Sequence, residues 1–243
     1  DHVTFVYPDG EEPVLQDVSF KANKGEMIAF IGSTGSGKST LVNLVPRFYD
    51  VSSGSIKING KDIRDYDVLE LRDKLGVIPQ KAVLFSGTIA DNIRFGKKDA
   101  SDEEVEYAAK VAQAYPFIME KENGFDEEIS EGATNVSGGQ KQRLSIARAL
   151  VRKAQIYIFD DSFSALDFKT DAILRKELKK EMTESIMLVV AQRISSIMEA
   201  DQIIVLNEGK VVGKGTHHQL LKECQIYHEI ATSQLSEEEL ANA

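Results

Sequence analysis

The chain has few cysteines, no long apolar runs and no excess of positive charge. Its longest apolar runs, such as Ile186–Ala191 and Ile203–Leu206, have the length of strands, whereas a membrane helix needs about 20 apolar residues. The start of the chain is polar, so we expect no secretory signal peptide. A single cysteine, Cys224, excludes an intramolecular disulfide and fits a reducing compartment.

The formal net charge of −10 argues against a nucleic-acid partner, because such a partner requires a basic stripe that neutralises phosphates. It does not exclude a nucleotide, since one phosphate tail needs only a local cradle of donors. A hydrophobic content of 42% with 28% charged residues is ordinary for a globular protein, and 243 residues can bury one substantial core or at most two small ones.

A glycine-rich loop follows the apolar run Met27–Ile31 and precedes a helical pattern over Ser39–Leu44. It reads Gly32-Ser33-Thr34-Gly35-Ser36-Gly37-Lys38-Ser39-Thr40 and fits the pattern G-x-x-x-x-G-K-[ST]. Glycines allow successive backbone N–H groups to surround a phosphate at a helix N-terminus. We predict that this loop binds ATP, that Lys38 reaches the β- and γ-phosphates, and that Ser39 ligates Mg²⁺. The alternative is a flexible glycine turn.

Two adjacent carboxylates end a second apolar run. Ile156–Phe159 is followed by Asp160 and Asp161. A buried parallel strand that delivers an acid at its carboxyl end suits a Mg²⁺ site beside a phosphate loop. We predict that Asp160 binds the metal directly or through a water, with a helix cap at the following turn as the alternative.

The remaining pattern alternates strands with helices and predicts an α/β fold with a parallel sheet, with an antiparallel layer from the strand-rich ends. The predicted elements include a strand over Gly54–Asn59, helical periodicity from Ile89 to Tyr115 with a Ser101/Glu104 capping box, a closing helix from His218 to Ser233, and a frayed tail over Ser236–Ala243.

The segment Val136-Ser137-Gly138-Gly139-Gln140 opens a helix that is predicted to run to about Arg152. With the glycine loop before it and the acidic strand after it, essentially the whole chain resembles the nucleotide-binding domain of an ABC protein. The resemblance implies a P-loop NTPase (RecA-like) core with a mainly parallel sheet, an N-terminal antiparallel β subdomain and an inserted helical subdomain. Within one domain, 1–243, the core and β subdomain would comprise 1–81 and 152–243, and the helical subdomain 82–151.

The resemblance also assigns roles to individual residues. Tyr7 would stack on adenine, and Gln80 would contact Mg²⁺ and the attacking water; a buried edge aromatic and a plain surface amide are the alternatives. Two such domains would pair head to tail, so that Ser137, Gly138, Gly139 and Gln140 close over the ATP of a partner domain. Ser164–Asp167 matches the D-loop, and its Asp167 would be a further nucleotide-binding residue; Glu131 would face the transmembrane domains.

Two positions depart from the family pattern at this chain's own nucleotide site. Asp161 stands where the family has the glutamate that acts on the attacking water, so its carboxylate is one methylene shorter and about 1–1.5 Å further back. Gln192 replaces a histidine and cannot become cationic. Tolerated drift could explain either change alone. Together they predict slow hydrolysis at this site, with Asp161, Gln192, Gln80 and Lys38 as the catalytic set, as in one half of a heterodimeric exporter.

Three functions compete: the motor of a transporter, an ABC ATPase that works without a membrane, and a regulatory ATP-binding module. The 57 residues from Gln80 to Ser137 lack the heptads of a chromosome-type ATPase, and Leu84–Ile93 resembles the exporter segment that receives transmembrane coupling helices. The chain does not begin with methionine, as expected for a domain fused behind membrane helices. We therefore expect an exporter domain at the cytoplasmic face of the membrane, without direct insertion, paired with a second nucleotide-binding domain and without nucleic acid.

Overall fold

A computed structural model describes residues 1–236 and 239–240, which form a central sheet with helices on both faces. The strands are β1 Val3–Phe5, β2 Leu15–Val18, β3 Met27–Gly32, β4 Lys57–Ile58, β5 Lys61–Asp62, β6 Leu75–Ile78, β7 Gly87–Thr88, β8 Glu128–Ile129, β9 Ile156–Asp160, β10 Ile186–Val190, β11 Gln202–Asn207 and β12 Lys210–Gly215. The helices are α1 Lys38–Leu44, α2 Val68–Asp73, α3 Ile89–Arg94, α4 Asp102–Val111, α5 Tyr115–Met119, α6 Gly138–Leu150, α7 Phe168–Glu181, α8 His217–Glu223 and α9 Gln225–Gln234.

In the described chain the central sheet has the order β12-β11-β3-β10-β9-β6. Neighbouring strands are parallel except β11 and β12, which form an antiparallel hairpin at one edge. The β1–β2 pair and the β4–β5 hairpin supply antiparallel strands near the start of the chain. The four helices α3 to α6 fall between β6 and β9 in the chain. The predicted mainly parallel sheet, antiparallel layer and helical insertion are confirmed; the residue boundaries assigned to the subdomains stay a prediction.

Strands β3, β9, β10 and β11 are buried on both faces of the sheet, which explains why they are largely continuous apolar runs instead of alternating ones. In β3, Ala29 and Ile31 pack into a core shared with α3–α7 and α9, whereas Ile28 and Phe30 pack into a second core with β1, β2, α1 and α2. The carboxyl ends of β3, β9 and β10 therefore emerge together at one rigid edge.

The helical periodicity over Ile89–Tyr115 belongs to three helices, and the predicted capping box at α4 is confirmed: Ser101 Oγ accepts from the Glu104 N–H at 3.2 Å. The strand predicted over Gly54–Asn59 is shorter, with only Lys57–Ile58 paired. Helix α2, capped by Asp67, was missed because it has little more than one turn of apolar periodicity.

The prediction of one closing helix from His218 to Ser233 is wrong. Cys224 is extended, with φ −120° and ψ 104°, and it separates α8 from α9. Its side chain is buried against Gly213 of β12, so packing on the sheet overrides the continuous helical pattern. The tail predicted to fray, Ser236–Ala243, lies outside the described residues except for positions 236, 239 and 240, where Ser236 Oγ donates to Glu239 at 2.7 Å. No helix among residues 1–236 and 239–240 has the length and apolar character that crossing a bilayer requires.

His217, the first residue of α8, is buried, and its Nδ1 lies 2.6 Å from the hydroxyl of Tyr227 in α9. Within the described residues its Nε2 has no hydrogen-bond partner. Burial lowers the pKa of His217, and the neighbouring His218 acts in the same direction. The folded chain therefore holds a neutral imidazole at a pH where the unfolded chain takes up a proton.

We expect the unfolding free energy to fall as the pH drops below about 6.5, because the unfolded state then binds the proton that His217 refuses in the folded state. His217 can contribute at most about 1.4 kcal/mol per pH unit to the slope of the unfolding free energy against pH. Urea unfolding between pH 8 and pH 5 measures it, comparing the unaltered chain with His217→Gln and with the control His228→Gln, since His228 is exposed. Equal slopes for His217→Gln and the unaltered chain would contradict the assignment.

Candidate active site

The glycine loop leaves the end of β3 and turns into α1. Gly32, Gly35 and Gly37 have φ angles of +153°, +80° and +97°, which L side chains rarely adopt. A Cβ at Gly32 would lie 1.9 Å from the Leu206 carbonyl oxygen, whereas one at Gly35 would meet no atom of the described chain within 4 Å. The loop is therefore closely packed where it leaves the sheet and open at its middle, as a cradle for phosphates requires.

Lys38, the first residue of α1, folds back over this loop. Its Nζ donates to the carbonyl oxygens of Gly32 and Ser33 at 2.9 and 2.7 Å and to Ser36 Oγ at 3.2 Å. Burial lowers the pKa of Lys38, while the charges of Asp161 and Asp160 oppose that change. A partly desolvated ammonium group held at the loop is a strong binding partner for a phosphate.

Ser39 and Asp160 meet as the sequence predicts. Ser39 Oγ donates to Asp160 Oδ1 at 2.7 Å, which joins α1 to the end of β9. Burial raises the pKa of Asp160, the Ser39 hydrogen bond lowers it, and the charge of Asp161 raises it further. A hydroxyl and a carboxylate side by side are hard oxygen ligands, so the residues present fit a Mg²⁺ ion.

The side chain of Asp161, which follows β9, contacts residues that follow the neighbouring strands β6 and β10. Its Oδ2 accepts from Gln80 Nε2 at 2.9 Å and from Gln192 Nε2 at 2.7 Å. Gln80 follows β6 and Gln192 follows β10, and β9 lies between these strands in the sheet. Asp161 is 6% exposed and has a φ of +49°. Burial raises its pKa, and the Gln80 hydrogen bond opposes that change. The sequence places these residues at one edge but gives no sign that both amides bind one oxygen.

Tyr7 lies beside the start of α1, where its hydroxyl is 2.9 Å from Thr40 Oγ1. Its ring packs edge-on against Phe5 and Tyr49, with centroid distances of 4.8 and 5.2 Å. Tyr49 was missed because the chain has no local pattern that links it to Tyr7. The arrangement leaves an aromatic surface next to the phosphate loop, as stacking on adenine requires.

The segment Ser137–Gln140 begins α6 on an exposed surface. Ser137 Oγ accepts from the Gln140 N–H at 3.2 Å, and Gln140 Oε1 accepts from the Ser137 N–H at 3.0 Å. Within the described residues, the side chains of Ser137 and Gln140 make no hydrogen bond to the glycine loop. Asp167 caps α7, since its carboxylate accepts from the Thr170 N–H at 2.9 Å. The side-chain hydrogen bonds of Ser137, Gln140 and Asp167 named here are thus local helix caps.

An exposed apolar surface surrounds Arg148 of α6. The guanidinium of Arg148 lies 5.0 Å from the ring centre of Phe85 and 5.6 Å from that of Phe95. It also donates to the carbonyl oxygens of Asn92 and Val83, each at 2.8 Å. Phe85, Phe95 and Val83 are all exposed to solvent. We call Arg148, Phe85, Phe95 and Val83 the Arg148 surface. The predicted Leu84–Ile93 segment passes through it.

The chain is similar to known proteins over nearly its whole length. A family model described as ABC transporter matches residues 15–164. An uncharacterised ABC transporter ATP-binding protein of Mycobacterium tuberculosis is 47% identical over 95% of this chain. A putative multidrug export ATP-binding/permease protein of Staphylococcus aureus is 44% identical over 96% of it. The chain spans 40% of the length of each of these relatives.

A solved structure of a bacterial Atm1-family ABC exporter with ATP bound superposes with a TM-score of 0.93 at 38% sequence identity. The likeness covers 98% of this chain and 42% of that one. The predicted P-loop NTPase fold is therefore confirmed, and so is the resemblance read from the glycine loop, the acidic strand and the Ser137–Gln140 segment. The chain belongs to the ABC transporter family.

Proposed function

We propose that the chain is the ATP-binding and ATP-hydrolysing domain of an ABC exporter. The observation that carries the proposal is the meeting of the Lys38 loop, the Ser39–Asp160 pair and the Asp161 cluster at one sheet edge. A cradle for phosphates, hard oxygen ligands for a cation and a carboxylate held by two amides are the parts that phosphoryl transfer to water needs. The names of the relatives, which include a multidrug exporter, support the same function.

Each group of residues has a defined role in this proposal. The loop amides of Gly32–Thr40 and the Lys38 ammonium bind the phosphates, and Tyr7 stacks on the adenine. Ser39, Asp160 and Gln80 hold Mg²⁺, which when bound neutralises charge on the β- and γ-phosphates. Asp161 orients the attacking water and takes its proton, while the amides of Gln80 and Gln192 fix the carboxylate.

We further propose that this site hydrolyses ATP slowly. The Asp161 carboxylate ends one methylene short of a glutamate, so it lies further from the attacking water than a glutamate carboxylate would. Gln192 can donate a hydrogen bond but cannot supply a positive charge to the transferring phosphoryl group. Since the reaction depends on positioning, both features slow hydrolysis more than they weaken binding. The same features favour the second candidate, a regulatory ATP-binding module, which would bind ATP without powering transport.

Two kinds of partner follow from the proposal. Ser137, Gly138 and Asp167 are exposed, and Gly139 and Gln140 are half-buried. Ser137–Gln140 and Asp167 would complete the site of a second nucleotide-binding domain in a head-to-tail pair. The N–H groups at the start of α6 suit a phosphate of that partner's ATP. The Arg148 surface and Glu131 would receive coupling helices of transmembrane domains, and the chain would then lie at the cytoplasmic face of the membrane.

Replacing Lys38 by alanine tests ATP binding. We expect Lys38→Ala to weaken binding of a fluorescent ATP analogue with Mg²⁺ about tenfold or more, because a charge-assisted contact to phosphate is lost. Fluorescence titration measures the dissociation constant. The matched control is Lys24→Ala, since the side chain of Lys24 is exposed on the surface. Absence of binding by the unaltered chain, or equal binding by the two variants, would contradict the proposal.

A further inference from the structure

A short 3₁₀ helix, Ile194–Ser196, follows Gln192 immediately. The first N–H groups of any helix point out of its end and require acceptors from elsewhere. The residue at its N-cap position, Arg193, sends its guanidinium in another direction, to the carbonyl oxygens of Ser164 and Leu166 at 3.1 and 3.3 Å. The cap must therefore come from a different part of the chain.

Gln234, the last residue of α9, supplies that cap. Its Oε1 accepts from the Ile194 N–H at 2.8 Å, and its Nε2 donates to the Gln192 carbonyl oxygen at 2.8 Å. One carboxamide thus satisfies a donor and an acceptor on either side of Arg193, as a strand neighbour would. Helix α9 is itself fixed on the sheet, because Tyr227 and Ala231 are fully buried in the core.

The backbone that Gln234 binds carries the side chain that reaches Asp161. Gln192 Nε2 is 2.7 Å from Asp161 Oδ2. A shift of the Gln192 backbone by about 1 Å away from Asp161 would carry the two atoms beyond the usual hydrogen-bond range. The same segment holds the Ser164–Asp167 loop through Arg193. The position of α9 is therefore connected by hydrogen bonds to Asp161 on one side and to the loop before α7 on the other.

We infer that Gln234 is a positioning residue for this chain's nucleotide site: it fixes the backbone of Gln192 and so aims the Gln192 amide at Asp161. The inference rests on the proposed function for its effect on hydrolysis, but the anchoring itself can be measured without ATP. It makes the end of α9 a part of the site, although within the described residues Gln234 makes no side-chain hydrogen bond to the residues that would bind ATP or Mg²⁺.

The test compares three variants of the 243-residue chain. Gln234→Ala removes both hydrogen bonds, and Gln234→Glu keeps an acceptor for the Ile194 N–H but loses the donor to Gln192. Gln225→Ala is the matched control, because the Gln225 amide bonds to Glu229 on the same helix. Hydrogen exchange of the Ile194 amide, the dissociation constant of an ATP analogue and the single-turnover hydrolysis rate are measured for each.

We expect Gln234→Ala to speed exchange of the Ile194 amide and to slow hydrolysis about two- to tenfold, the range for losing a net hydrogen bond or two. The ATP dissociation constant should stay unchanged. Gln234→Glu should keep the Ile194 amide protected yet still slow hydrolysis, and this separation is one that a merely structural loss would not give.

The inference would be overturned by Ile194 exchange in Gln234→Ala equal to that in Gln225→Ala, or by hydrolysis in Gln234→Ala as fast as or faster than in the unaltered chain. Slower hydrolysis with unchanged Ile194 exchange would also overturn it, because the effect would then arise elsewhere. Failure of the proposed function would give a different result, because the unaltered chain would then not bind the ATP analogue at all.

Discussion

The variant that carries both Asp161→Glu and Gln192→His is expected to hydrolyse ATP about a hundred times faster than the unaltered chain, because a misplacement near 1 Å costs about that factor. The added methylene carries the carboxylate forward to where an attacking water lies, and the imidazole can hold a positive charge near the transferring group. Single-turnover hydrolysis of Mg·ATP by the purified chain measures the change.

The structure indicates why the two substitutions belong together. Both Gln80 and Gln192 donate to Asp161 Oδ2, so a longer side chain at position 161 must displace at least one of these amides. Histidine at position 192 removes one of them. We therefore expect each single substitution to gain less than the pair.

The matched control exchanges the same residue types on the surface, as Asp73→Glu with Gln225→His. Absence of a gain in the site variant would show that slow hydrolysis has another origin, and hydrolysis by the unaltered chain at ordinary ABC rates would remove the premise. A gain in the control would indicate a general effect on folding.

Gly32→Ala is expected to lower the unfolding free energy more than any other substitution proposed for this chain. The new Cβ would lie 1.9 Å from the backbone oxygen of Leu206 and 2.9 Å from Ser36 Oγ, at a φ of +153°. Gly32 and Leu206 are paired residues of β3 and β11, so neither backbone can move without opening the sheet. Clash and backbone strain together should lower the unfolding free energy by about 3–4 kcal/mol, a large part of the usual 5–15 kcal/mol. Urea unfolding measures it.

Gly35→Ala is the matched control in the same loop. Its φ of +80° also strains an alanine, but the new Cβ would meet no atom of the described chain within 4 Å. The expected loss is about 1 kcal/mol, the cost of the left-handed conformation alone. Similar losses for the two variants would show that contact with β11 is not what excludes a side chain at Gly32.

The parts of the site that could be predicted are those that depend on residues close together in the sequence. The glycine loop lies between an apolar run and a helical pattern, and Asp160 ends an apolar strand, so each position follows from its immediate neighbours. The parallel sheet then brings Gln80, Asp161 and Gln192 to one edge. Family resemblance supplied the roles of Tyr7 and Ser137–Gln140, which spacing alone does not give.

What could not be predicted depends on contacts between distant segments. The break at Cys224 arises from packing against β12, and the local sequence around it remains a good helical pattern. Gln234 is an ordinary polar residue at a helix end until α9 is folded onto the sheet. The double hydrogen bond on Asp161 Oδ2 depends on side-chain directions at three strand ends, which apolar periodicity does not describe.

The burial of Cys224 has a practical consequence for measuring this molecule. The chain has a single thiol, that of Cys224, which is the residue between α8 and α9 and is 6% exposed. A cysteine introduced on the surface, for example in place of Ser233, would therefore react with a maleimide spin label or dye far faster than the native one. Distances between two labelled copies can thus be recorded in a chain whose own sulfur is left unaltered.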